Sequence, residues 1–249
     1  MATPLVVLTG ELEAELAASG SNERAVNEKR YLKSELHHYG VSVPVIRRLA
    51  RRFAREHKDV SKAELIGLTT EFWDRDVYEL RKLAVNILAA RVEDFDAGDV
   101  SFVEGLLRRS HTWALIDDLA MNVVGPMLTT VPEAVQIRLK WSKDDDFWVR
   151  RTAMLALLPR LRRGLDGWDE FAGYADAMLC EEEFFIRKAI GWVLREVSKH
   201  SPALVFEWTQ TRAMTASSVT FREAVKYLSE DQRLRLTELR KPATRRKKS

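Results

Sequence analysis

The chain repeats itself. Asp144-Asp-Asp-Phe-Trp-Val-Arg-Arg-Thr-Ala153 returns 37 residues later as Glu181-Glu-Glu-Phe-Phe-Ile-Arg-Lys-Ala-Ile190. The register continues for a further 35 residues, where Phe221-Arg222-Glu223-Ala224-Val225 aligns with Ile186-Arg187-Lys188-Ala189-Ile190. Backwards, Trp148 aligns with Trp113 at 35 residues and Trp113 with Glu79 at 34, so that Leu80-Arg81-Lys82 stands where Val149-Arg150-Arg151 stands later. A period of this size in helical sequence means stacked helix pairs, because each pair buries its apolar face only against its neighbours.

Helical spacing supports the period. Arg47 to Glu56 places Leu49, Ala50, Phe53 and Ala54 on one side with arginines around them. Gly and Pro total 18 of 249 residues, well below average usage, so turns are few and elements long. No segment alternates with period two, and no Asn-Gly or Asp-Gly joins two apolar runs. Gly40 stops one helix, and Pro44 suits the start of the next. Further breaks are expected near 58–62, 93–100, 126–132, 142–146, 163–168, 179–183 and 200–203. The expected fold is all-α, a single α-solenoid of about six helix pairs with a concave face, spanning residues 1–239.

Charge narrows the partner class less than it first suggests. The net charge is +3, but six of the 40 basic residues lie in the last ten positions, which contain no acid. Residues 1–239 therefore carry 34 basic and 37 acidic groups. Any anionic partner must meet bases gathered on one face, and residues 240–249 read as a disordered basic tail. Cys180 is the only cysteine, which excludes a disulfide framework and fits a reducing compartment. No apolar run reaches the about 18 residues of a membrane span, and the N-terminus carries no secretory pattern, so a cytoplasmic location is expected.

Few residues suggest chemistry. No metal motif, phosphate-binding glycine loop or nucleophile elbow is present, so neither metal nor cofactor is expected. The acids at 144–146 and 181–183 read as helix N-terminal carboxylates favoured by the macrodipole, and His111 as a surface side chain. Trp113 and Asp117, four apart on a helix expected from about Ser110, share one face, while Leu115, Ile116, Leu119 and Val123 take the packed faces. An indole and a carboxylate placed so can bind a cation or a sugar; equally, Trp113 can be core and Asp117 solvated. Three residues after Trp148 comes Arg151. Lys188 holds the same register, and Trp192 follows four later. Equivalent helices of a solenoid line one concave surface, which would gather Trp113, Asp117, Arg151, Lys188 and Trp192.

These residues bring a family into view. Glu183-Phe-Phe-Ile-Arg-Lys-Ala-Ile-Gly-Trp-Val-Leu-Arg-Glu196, with Ser198-Lys199 and Pro202, resembles the bacterial DNA alkylation repair glycosylases built of HEAT-like repeats, the AlkD family. Arg30-Tyr31-Leu32-Lys33 with Gly40-Val41, Pro44 and Arg47 is a second matching stretch; Ser110 to Gly125 and Phe147 to Ala153 are two more. They keep family order over residues 20–230. The resemblance places the catalytic aspartate on Asp117 rather than the adjacent Asp118, the two aromatic walls on Trp113 and Trp192, and the cleft arginine on Arg151. It places a tyrosine that approaches the DNA backbone on Tyr31. Lys33, Arg47, Arg150, Arg187 and Lys188 complete the expected DNA contacts. One departure stands out: where the family often has a tryptophan pair followed by aspartate, this chain has Thr112-Trp113-Ala114-Leu115.

The resemblance implies a monofunctional glycosylase acting as a monomer on duplex DNA that contains alkylated bases, with no cofactor and no membrane. Its substrates would be adenine or guanine alkylated at N3 or N7. The alternative is a non-catalytic helical-repeat protein that binds DNA or protein through the same concave face.

Overall fold

The computed structural model describes residues 5–241. Among them every regular element is helical, and strand-like pairing is confined to an isolated bridge between His37 and Val77. The chain divides into two compact units between residues 134 and 135. Most of the expected basic tail, residues 242–249, lies outside the described residues.

The first unit contains α1 (Leu5–Ala18), α2 (Asn22–Leu32), α3 (Val43–Glu56), α4 (Lys62–Asp74), α5 (Tyr78–Ala90), α6 (Val100–Arg108), α7 (Trp113–Leu119) and the single turn α8 (Gly125–Met127). Local chemistry sets the boundaries. Ser61 and Glu64 close a capping box at the start of α4, and Pro44 occupies the first turn of α3. Helix α2 ends on Lys33 in the left-handed region (φ 49°), where the Lys33 N–H donates to the Arg30 carbonyl and the Ser34 N–H to that of Lys29. This is a Schellman closure made with a lysine in place of glycine. Gly40, also left-handed at φ 76°, packs so closely that a Cβ would lie 2.1 Å from the Ser21 carbonyl oxygen. Phe53, Leu65, Leu68, Phe72, Trp73, Leu83 and Ile87 form the buried centre where α3, α4 and α5 pack.

The second unit opens with α9 (Ala134–Trp141), which begins at the division, and continues with α10 (Phe147–Leu155), the short α11 (Leu158–Leu161), α12 (Trp168–Ala177), α13 (Phe184–Ser198), α14 (Pro202–Gln210), α15 (Ser218–Ala224) and α16 (Glu230–Leu239). The acids ahead of α10 and α13 serve as helix caps: the Asp146 carboxylate accepts from the Trp148 N–H and the Glu183 carboxylate from that of Phe185. Trp141, Phe171, Ile190, Val193 and Leu194 are fully buried. Arg240, one residue past α16, is held by the Ala213 and Ala216 carbonyls and lies over the Phe221 ring.

The repeat is visible as structure. The helices that carry it begin at Tyr78, Trp113, Phe147, Phe184 and Ser218. Within the first unit α5 packs on α7; within the second α10 packs on α13 and α13 on α15.

Candidate functional site

In the first unit the site is built around the start of α7. The chain enters it through His111, left-handed at φ 49° and exposed, and Thr112, extended, so the helix starts at Trp113 rather than Ser110. Leu115, Ile116, Leu119 and Val123 are fully buried, as their spacing predicts. Trp113 is half-buried, and the Tyr31 ring meets it edge-on, with centroids 5.8 Å apart and planes at 83°. Tyr31 itself is 72% exposed at the end of α2. Thus the structure joins two of the residues singled out from distant parts of the sequence. Asp117, one turn along from Trp113, is only 6% exposed, a carboxylate in a largely desolvated setting rather than an open one.

Asp118 points elsewhere. Lys82 of α5 approaches its carboxylate to 2.5 Å while also donating to the Ala114 carbonyl at 2.9 Å, and the lysine is itself buried. Lys82 is thus a support of the α7 backbone. The helix that carries Asp117 then widens into a π-helical turn over Ala120–Val124 before Pro126, a residue with no N–H to donate to the carbonyl at 122.

Beyond Tyr31 along the chain, the connection from α2 to α3 is clamped by Glu79 in the first turn of α5. Its carboxylate accepts from the N–H groups of Tyr39 (3.0 Å), Gly40 (2.7 Å) and Val41 (3.2 Å). His38 stacks on Tyr78, with ring centroids 4.8 Å apart. Burial holds the His38 imidazole below its usual pKa and pushes the nearby Glu28 carboxyl up. The remaining expected DNA contacts of this unit, Lys33 and Arg47, are solvent-exposed.

In the second unit the expected residues occupy α10 and α13. Arg151 is 2% exposed; its guanidinium donates to the Phe185 carbonyl and lies 5.9 Å from the centre of the Phe185 ring. Arg150 pairs with Glu181 at 2.7 Å and donates to the Asp144 and Asp145 carbonyls. Arg187 donates to the Glu181 carbonyl at 2.6 Å, so Arg150 and Arg187 meet on one residue. Lys188 pairs with Glu223, which also takes Arg195 at 2.7 Å. Half-buried Trp192 carries the Arg162 guanidinium over its ring at 5.5 Å.

A single rule underlies three of these contacts. Lys82, Arg151 and Lys188 hold one position in the repeat, and each reaches a group about one repeat further along: the Ala114 carbonyl, the Phe185 carbonyl and the Glu223 carboxylate. The basic column seen in the sequence therefore works as a set of staples between successive repeats. Lys82 and Glu79 both fall on columns that the repeat marks in the sequence. Repetition alone does not distinguish an internal staple from a solvent-facing base.

A family model described as "DNA alkylation repair enzyme" matches residues 12–228. Among solved structures, a protein described as a predicted DNA alkylation repair enzyme from Enterococcus faecalis is similar in fold, with a TM-score of 0.74 at 23% identity over 85% of this chain and 98% of that one. The protein smu.31 from Streptococcus mutans UA159 is similar too, with a TM-score of 0.57 at 19% identity over 75% of this chain and 98% of that one. At these identities both likenesses concern the fold. No curated protein matches the chain.

Proposed function

The chain belongs to the DNA alkylation repair enzyme family, and from that premise we propose that it is a DNA glycosylase that hydrolyses the N-glycosidic bond of cationic alkylated purines in duplex DNA. The observation that carries this reading is the group at the start of α7: the Trp113 indole held edge-on by Tyr31, with the Asp117 carboxylate one turn along. Alkylation at N3 or N7 puts a positive charge on the purine. The base then leaves C1′ without a general acid, and the sugar becomes a cation resembling an oxocarbenium ion.

Such a step needs an anion near the sugar, a positioned water and exclusion of bulk solvent. A carboxylate in a desolvated setting stabilises the developing cation far more than one in water, since its orientation is fixed in advance. Asp117 takes that role and orients the attacking water. The indole of Trp113 offers a flat, electron-rich face to the cationic sugar, and Tyr31 restrains the indole and reaches the backbone. On the family's pattern Trp192 and Arg151 hold the sequence positions of a second aromatic wall and a cleft arginine, while the exposed bases Lys33 and Arg47 contribute to the grip on phosphates. No described helix is long and apolar enough to cross a membrane.

The experiment is direct. Purified protein incubated with methylated duplex DNA should release free 7-methylguanine or 3-methyladenine and leave abasic sites. Tight binding to the same DNA with no base released would replace this reading with that of a non-catalytic DNA-binding repeat protein.

A further inference from the structure

Away from Trp113 and Asp117, three side chains from separate elements converge inside the first unit. Glu28 on α2, His38 in the connection to α3 and Glu79 at the start of α5 each bring one potential ligand atom to within 4.8 Å of the others. His38 is 5% exposed, and neither of its ring nitrogens has a hydrogen-bond partner; the Glu28 Oε2 atom is likewise buried and unpartnered. Buried polar atoms are almost always satisfied, so an imidazole with both nitrogens empty beside an empty carboxylate oxygen calls for an occupant.

The surrounding contacts arrange these groups as ligands. Stacking on Tyr78, nearly parallel at 13°, fixes the plane of the His38 ring. Three backbone N–H groups fix the Glu79 carboxylate, in the way outer hydrogen bonds orient ligating carboxylates. Arg24 meets Glu28 through Oε1, at a long 3.4 Å, and leaves the buried Oε2 without a hydrogen-bond partner. The neighbouring cation, Lys82, is engaged by Asp118. Burial favours the neutral imidazole, the form a metal binds.

We propose that Glu28, His38 and Glu79 form a binding site for one divalent transition-metal ion of the zinc class. One imidazole nitrogen with two carboxylate oxygens suits zinc or cobalt(II). It offers too few oxygens for calcium and a nitrogen that magnesium disfavours. The ion would fasten α2 and the 38–41 segment to α5. Tyr31 lies three residues beyond Glu28 on α2, so the metal would also steady the ring that restrains Trp113. Its role is positional, and no step of base release passes through it. The ligands lie at positions 28, 38 and 79, a spacing that matches no metal motif, which is why the sequence does not announce them.

Chelator-treated full-length protein titrated with cobalt(II) and with zinc tests this directly, read by cobalt d–d absorption, calorimetry and melting temperature. One ion per chain should bind and raise the melting temperature. His38→Ala and the nearly isosteric Glu28→Gln should abolish both effects, whereas His200→Ala, which removes an exposed histidine, should change neither. Absence of uptake by the folded wild-type protein overturns the proposal. So does uptake that survives Glu28→Gln or His38→Ala, or that follows His200; Glu28 and His38 would then fill the space by sharing a proton. These readouts measure metal binding alone, and they stand whether or not the protein releases bases.

Discussion

Asp117 and Asp118 are neighbours in sequence and differ in everything that follows from environment. Successive residues of a helix diverge by about 100°, which sends Asp118 to Lys82 and leaves Asp117 on the face of Trp113. Asp117→Asn keeps shape and most hydrogen bonds but removes the charge that opposes a sugar cation. Losing one preorganised electrostatic group typically costs about 10²–10³ in rate, or roughly 3–4 kcal/mol. Single-turnover excision should fall by that much with DNA affinity nearly unchanged, and an undiminished rate would remove Asp117 from the mechanism. Asp118→Asn should behave in the opposite way. It leaves the buried ammonium of Lys82 without its anion, at a cost of about 1–3 kcal/mol or more. Its melting temperature should drop while excision at a permissive temperature persists; a rate defect in a fully stable Asp118→Asn protein would show that the wrong carboxylate was chosen.

At the scale of elements, the staples between repeats make two predictions about α13 and α15. Gly191 sits where a Cβ would lie 2.9 Å from the Glu223 Cβ and 3.2 Å from the Thr220 Cα, so Gly191→Ala must push the two helices apart. Overpacking of this kind costs about 1–3 kcal/mol, to be read from chemical denaturation. Glu223 itself is pulled two ways. Burial raises its pKa, but the hydrogen bond and charge of Lys188 and the charge of Arg195 outweigh this and hold the carboxyl below its usual value. A carboxyl depressed in the folded state contributes stability above its unfolded pKa, and that contribution is lost as pH falls through the folded value. Acidification below about pH 4.5 should therefore destabilise wild type more than Glu223→Gln, and parallel pH profiles of melting temperature would refute the pairing. These contacts also mark the limit of what the sequence discloses. The period located α5, α7, α10, α13 and α15 because identical packing demands identical spacing, and the caps Asp146 and Glu183 follow from helix-end chemistry. Whether Arg151 faces solvent or the Phe185 carbonyl depends on how one repeat stacks on the next. The union of Tyr31 with Trp113, and of Glu28 with His38 and Glu79, depends on a turn ending in a left-handed lysine that no periodicity encodes.

For the whole molecule, the charge distribution separates grip from chemistry. Residues 1–239 carry slightly more acid than base, and many of the arginines and lysines on the repeat helices are committed to internal partners. Affinity for a polyanion must then come from exposed bases such as Lys33 and Arg47 and from the basic C-terminal segment. Arg240, through its contacts with Ala213, Ala216 and Phe221, is an anchor of the last repeat. The informative cut therefore falls after Lys241, removing Arg245, Arg246, Lys247 and Lys248 while sparing the anchor. Each phosphate that the protein no longer neutralises should reduce the slope of log affinity against log salt by about 0.9, so the truncated protein should bind DNA more weakly with a shallower salt dependence. Base release at saturating enzyme should be unchanged, since no residue of the segment belongs to the proposed catalytic group. A cut after Leu239 should add a fall in melting temperature, because the Arg240 anchor goes with it. If saturating turnover collapses in the protein ending at Lys241 while its helical signal and melting temperature hold, the segment takes part in catalysis and the division between grip and chemistry fails.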